Sequence, residues 1–143
     1  MPVRDLDKLM RDAQPRLQPG DYVFVTLDAW PDLPPSAVLM SFREAEGLTL
    51  ILERSVADAA GFPYEYVASW ITMEINSALD AVGFTAAFST ALSEQGISCN
   101  VVAAFHHDHL FVARQDGERA VEVLKKMAGP LRKGSGPDGQ ALA

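Results

Sequence analysis

Short β-branched runs and short helical stripes follow one another along this chain in an order that nearly repeats, and few folds satisfy that order. Residues 22 to 27, YVFVTL, are rich in β-branched and aromatic side chains and too brief for a stable helix, so they read as a buried strand. The stretch DAWPDLPPS follows, and three prolines in nine residues exclude both a helix and a central strand. It is an ordered crossover or an exposed loop. AVLMSFR and LTLILER then flank Glu44, Ala45, Glu46 and Gly47, the pattern of an antiparallel hairpin. Ser55 stands three residues before Asp58 as a capping-box-like helix start, with Gly61 and Pro63 placed to stop the helix. An extended segment from 66 to 75 reads as one strand, or as two with a bend near Ser69.

The second half runs through the same cycle more fully. Phe84, Ala87, Phe88, Ala91 and Leu92 form a helical stripe that Gly96 stops. ISCNVVAAF and LFVAR make two strands joined at His106 to Asp108, and a last helix over 117 to 128 carries the stripe Ala120, Val123, Leu124 and Met127. The first half thus lacks its first helix and the second half lacks a final strand, which describes a degenerate duplication of a βαββαβ unit. A short helix carrying Leu6, Leu9, Met10 and Ala13, ended by Gln14 and Pro15, could restore the missing helix. Strand 22 to 27, or a split strand 66 to 75, could restore the missing edge. The expected fold is α+β and ferredoxin-like, with antiparallel sheets and helices packed on one face. The expected units are 1 to 66 and 67 to 128, before a flexible, Gly- and Pro-rich tail at 129 to 143.

Composition removes several functions. With 19 acidic against 12 basic residues and a formal charge of −7, the chain has no basic surface through which to release counterions, so nucleic acid is not an expected partner. No apolar run approaches the ~18 residues of a membrane span, and the amino terminus, MPVRDLDKLM, is unlike a signal peptide. A cytoplasmic, unprocessed protein without membrane attachment is the expectation. The single cysteine, Cys99, forms no intrachain disulfide and reads as a small buried thiol. Along an extended strand it would lie roughly 20 Å or more from the histidines, so no Cys/His dyad forms there. No nucleophile elbow, dinucleotide loop or Walker lysine is present. His106, His107 and His109 surround Asp108, but alternation along a strand lets only His107 and His109 converge, two ligands where a structural zinc needs four.

Two passages resemble a known family: FREAEGLTLILERSVADAAG, and ALDAVGFTAAFSTALSEQGISCNVVAAFHHDHLFV. They are similar to small bacterial proteins of two tandem ACT-like domains, distantly related to the regulatory part of aspartokinases, over roughly residues 16 to 125. The resemblance implies a non-enzymatic, regulatory protein without a cofactor that senses an amino acid or related carboxylate at a domain interface. It carries an effector pocket onto Asp80, Gly83, Phe84, Thr85, Ile97 and Asn100. Elementary physics gives the same place a rationale: a helix opening at Gly83 presents free N–H groups and a positive dipole end to a carboxylate. Asp80 has the sign to take an α-ammonium group, with Asn100 offering a donor and an acceptor beside it. The plainer roles of these residues, Gly83 as a turn, Thr85 as a cap and Asn100 as a polar strand start, stay open. A homodimer is expected, because small sheets leave edges to cover. A ligand-free dimeric interaction module and, with less support, a metal-binding protein using His106 to His109 are the alternatives.

Overall fold

The computed structural model describes residues 5–75 and 79–128, so the tail expected at 129 to 143 lies outside the described residues. Helix α1 (Leu6–Asp12) is capped by Asp5, whose carboxylate accepts from the Asp7 and Lys8 N–H groups at 3.0 and 3.5 Å. Strand β1 (Pro15–Leu17) follows at once, then β2 (Tyr22–Leu27). The proline-rich crossover contains only a 3-10 turn (Pro35–Ala37) and leads to the hairpin β3 (Met40–Glu44) and β4 (Gly47–Glu53). Helix α2 (Arg54–Ala60) and strand β5 (Val67–Met73) complete the first cycle. The second consists of α3 (Phe84–Glu94), β6 (Asn100–Ala103), β7 (Asp108–Ala113), a 3-10 turn (Arg114–Asp116) and α4 (Gly117–Ala128).

All strand pairings are antiparallel, and the sheet runs β3-β4-β2-β5-β7-β6 with β1 also on β5. The order resolves the two incomplete cycles. β5, β2, β4 and β3 form one four-strand unit, and β1, β5, β7 and β6 form the other, so β5 closes the first unit and opens the second. The missing edge of the second unit is β1, opposite Ile71 to Met73, while β2 meets the same edge of β5 lower down at Val67 and Ala68. Gly20, with φ of 98°, lies in the step between them. Neither strand 22 to 27 nor a split 66 to 75 supplies that edge, and β5 passes through Ser69 unbroken. Helix α1 does not replace the missing helix either. Its Leu9 and Met10 pack with Phe84, Phe88, Leu92, Ala120 and Leu124 over Ile71, Met73 and Leu110 of the second unit. A division at 66/67 therefore groups α1 and β1 with elements they precede instead of those they pack against.

In the first unit Leu33 and Val38 of the crossover cover the core of Val23, Val25, Leu50 and Leu52 beside α2, doing with a loop what the absent helix would do. Helix α2 also starts differently from expectation: Glu53 is its N-cap without a side-chain bond. β4 runs directly into the helix, leaving Ser55 inside the first turn and no capping box. The Arg54 N–H instead donates to the Asp21 carbonyl at 2.9 Å. The carboxyl end of α2 is as expected, with Gly61 left-handed at φ 75°.

The helix-free face holds a second interior. Tyr22, Ile51, Ala68 and Phe111 are buried there, with Phe24, Met40, Tyr66, Trp70 and Val102 against them. β3 and β6 are opposite edges, which a flat six-strand array would hold about 24 Å apart at ~4.8 Å per strand. Met40 and Val102 nevertheless line one groove. The sheet curls towards its helix-free face, and aromatic rings fill the curl: Tyr22 meets Trp70 edge-on at 5.3 Å and Phe24 meets Phe111 at 5.6 Å.

The docking of α1 predicts the cost of a single truncation. Leu9→Ala should lower stability in urea unfolding by about 2 to 5 kcal/mol, as for a fully buried leucine. A loss under about 1 kcal/mol would show that α1 is not part of the second unit's core.

Candidate functional site

The chain leaves β5 at Met73, where the Glu74 N–H donates to the Gln14 carbonyl at 2.7 Å. Gly83 is the N-cap of α3, with φ of 94° and, as a glycine, no side chain of its own to cap the helix. The first bond of the helix is made by the Ala87 N–H to the Gly83 carbonyl at 2.9 Å, so the N–H groups of Phe84, Thr85 and Ala86 point out of the helix end. A β-carbon on Gly83 would lie 3.2 Å from Leu6 Cδ2, so α1 closes one side of this turn. Asp80 in the loop and Thr85 in the first turn of α3 are exposed, whereas Phe84 is buried edge-on to Phe88 at 5.2 Å.

The six expected site residues do not converge. Asp80, Gly83 and Thr85 share one end of α3, with Phe84 beneath them in the core. Ile97 and Asn100 follow the other end, after an eleven-residue helix about 16 Å long. Ile97 is buried in the second unit's core. Asn100 stands opposite Phe111 on the helix-free face, its amide nitrogen 3.4 Å from the Phe111 carbonyl. That register is three residues, roughly 10 Å, from the Met73 end where the loop begins. Within one chain Asp80 and Asn100 are set apart by the sheet and by the length of α3.

Among the described residues, two clefts lie away from this loop. A cleft of about 480 Å³ is lined by Asp28, Trp30, Arg43, Glu44, Glu46 and Leu48. It opens beside the loop after β2, the place in the first unit that the loop into α3 holds in the second. Trp30 is 45% exposed there, with its indole N–H 3.3 Å from the Leu33 carbonyl, and Thr49 Oγ1 donates to Glu44. One guanidinium, Arg43, thus stands among three carboxylates. In the sequence Glu44 and Glu46 read only as residues of a hairpin connection; the signal available was Trp30, next to Pro31 at the start of the proline-rich crossover. A second cleft, about 420 Å³, follows the seam between β1 and β2. Its Asp21 carboxylate lies 3.2 Å from Arg114 Nε and 3.9 Å from Arg54 Nη1, an exposed pair of small energetic weight. Gly117 opens α4 at its edge, where a β-carbon would fall 2.7 Å from Ser69 Oγ.

The histidine segment divides as alternation requires. His107 Nδ1 is 3.2 Å from the Ile75 carbonyl, and His109 Nδ1 is 3.0 Å from the Trp70 indole nitrogen. Asp108 turns into the buried side, where loss of solvent raises its pKa against the lowering effect of His107. Burial, then the like charge of His107, lowers the pKa of His109. Among the described residues no three His, Cys, Asp or Glu side chains are grouped to hold a metal. Burial pushes the Cys99 thiol up to about 11, against a lowering bond to Ser89, which makes it a poor nucleophile. No helix among the described residues is long and apolar enough to cross a membrane.

Comparison with known proteins agrees with this architecture. Residues 1–69 and 65–126 each match a family model described as an ACT domain. A protein of unknown function from Vibrio cholerae, described as a possible transport protein, is 42% identical, with 86% of this chain and 95% of that one covered and a TM-score of 0.77. A protein from Agrobacterium tumefaciens is 22% identical over 81% and 89% of the two chains, with a TM-score of 0.65. The ligand-free regulatory subunit of aspartate kinase from Thermus thermophilus shares the fold at 11% identity, over 82% and 97%, with a TM-score of 0.55. No functionally curated protein matches the chain.

Two outcomes follow from these environments. Cys99 should alkylate at pH 8 roughly 100-fold more slowly in the native protein than in denaturant, because its thiolate fraction is that much smaller; equal rates would show an open thiol. Gly83→Ala should destabilise the protein by about 1 to 2 kcal/mol through the left-handed backbone alone. An unchanged melting midpoint would mean that the turn can relax.

Proposed function

The chain belongs to the ACT-domain family, carrying two such domains in tandem, and on that basis we propose that it is a non-catalytic, cytoplasmic regulatory protein that binds an amino acid or related small carboxylate. ACT domains are in general small-molecule-binding regulatory domains, and the chain's fold is theirs. The observation that supports the ligand reading is the first turn of α3, where the N-cap is a glycine with no side chain of its own to cap the helix and three N–H groups face outward. In a chain with a formal charge of −7, such a positive end favours a carboxylate. Asp80, exposed in the preceding loop, and Thr85, exposed in the first turn of α3, supply an acceptor for an ammonium group and a hydroxyl.

The same end supports a homodimer. Leu79, Val82 and Phe105 are 67%, 84% and 77% exposed. Phe105 lies on the β6–β7 hairpin, which the His107 contact to Ile75 ties to the start of this loop. A second copy covering these side chains would remove apolar surface from water and close the helix end, placing the ligand at an interface. If no ligand binds, the same surface favours the reading of a dimeric interaction module.

A thermal-shift series against the amino acids, with sedimentation of the free protein, tests both. A ligand at 100 times its Kd adds about 2.7 kcal/mol to stability, a rise of several degrees, and Asp80→Ala should remove most of it. Val82→Asp should shift the dimer towards monomer. A dimer that responds to no amino acid leaves only the interaction module. A shift undiminished in Asp80→Ala would place the ligand away from α3.

A further inference from the structure

Inside the curl of the sheet a groove of about 190 Å³ is lined by Leu39, Met40, Trp70, Val102, His109 and Phe111. Its two walls come from opposite edges of the sheet, so it is the mouth of the aromatic interior and not a surface dimple.

The protonation of His109 is set by its neighbours. The Trp70 indole N–H can only donate, and at 3.0 Å it donates to His109 Nδ1. Thr72 Oγ1 lies 3.1 Å from the same nitrogen and accepts from the Gln18 amide at 3.0 Å, leaving its own proton free to point at Nδ1. Nδ1 is therefore the acceptor, its single lone pair taken by the Trp70 N–H with the Thr72 hydroxyl beside it, and the neutral ring carries its proton on Nε2. Among the described residues Nε2 has no hydrogen-bond partner. Burial holds the pKa of His109 below the usual imidazole range, which keeps the ring neutral near pH 7.

We propose that this groove is a second binding site, for an uncharged molecule with a ring-sized apolar body and one hydrogen-bond acceptor, such as a ketone or lactone carbonyl, received by His109 Nε2–H. The size fits, since an apolar protein cavity of roughly 150 Å³ takes up benzene. The chemistry also selects against charge. The lining includes no lysine or arginine, so a carboxylate would enter without a counter-charge and at a large desolvation cost. A hydrocarbon would fill the space but leave the Nε2 proton unpartnered. The site stands apart from the α3 helix end and takes a different ligand class.

Acetophenone and cyclohexanone are the probes, with ethylbenzene and benzoate as controls, followed by NMR of the Trp70 indole and His109 ring signals in the full chain. Both ketones should shift these signals saturably, ethylbenzene should bind about tenfold more weakly, and benzoate weaker still. Val102→Phe, which fills the groove from an edge strand, should abolish the shifts while circular dichroism stays unchanged. Asp80→Ala should leave them intact, so this test does not depend on the amino-acid site. Equal affinity for ethylbenzene would overturn the role of His109. The absence of a saturable shift, or shifts that persist in Val102→Phe, would overturn the site. Signals that move with protein concentration alone would assign the groove to a second copy of the chain.

Discussion

Strand β5 carries the molecule. One edge is taken by β7 along its whole length, and the other is divided between β1 above and β2 below. Each four-strand unit counts β5 among its members, so neither has a complete sheet without the other. Antiparallel pairing on both edges satisfies the backbone groups of this central strand. Its side chains alternate with equal consequence: Ile71 and Met73 enter the three-helix core, while Ala68 and Trp70 enter the curl. A one-residue slip would exchange the two sets, and neither interior would accept the other's shapes.

The two interiors have different chemistry because their walls differ. Helices cover one face with aliphatic side chains and two phenylalanines, and among the described residues the polar side chains buried on that face are Ser69, which donates to the Arg114 carbonyl, and Asp108. The other face is closed by the sheet's own curl, which brings large rings together and encloses Trp70, Thr72 and His109 with them. Buried polar groups need partners, and the run from Gln18 through Thr72 to His109 Nδ1 and Trp70 joins four of these side chains in a single chain, whereas the buried Tyr66 hydroxyl has no hydrogen-bond partner among the described residues. Gln18 belongs to the step between β1 and β2, so the same irregularity that joins the two units also anchors the polar network inside them.

Most elements were legible in the sequence because their signals are local. The stripes of α3 and α4, the hairpin before Gly47 and the left-handed stop at Gly61 each follow from spacing and glycine placement. Strand β1 was not, since three residues opening with proline carry no periodicity; only the unpaired edge of β5 gives them a role. The exchange of α1 and β1 into the second unit is likewise a long-range fact, decided by which core Leu9 and Met10 fill. The candidate site was legible only in part. A helix start at Gly83 can be read from sequence, but the length of α3 and the face of Asn100 decide that Asp80 and Asn100 stand apart. His109 reads as one member of a histidine cluster until register sets it against Trp70 and Thr72.

The lost helix of the first unit also bears on where ligands of each kind can sit. In the second unit the loop after the opening strand leads into an eleven-residue helix, whose dipole offers a partial positive charge without any basic side chain. In the first unit the matching loop leads into a proline-rich crossover, and no helix dipole exists there. What stands at that position is a cleft with Arg43 as its cation, Trp30 as its apolar wall and Asp28, Glu44 and Glu46 around them. An anionic group would meet backbone donors in one unit and an exposed side chain among carboxylates in the other. Backbone donors are fixed in place before binding, whereas Arg43 must be ordered and drawn from its acidic surroundings, which costs side-chain entropy and electrostatic work. The duplicated units are therefore unequal as receptors for a carboxylate, and the second unit, completed by the chain's own amino-terminal strand, is the better organised of the two.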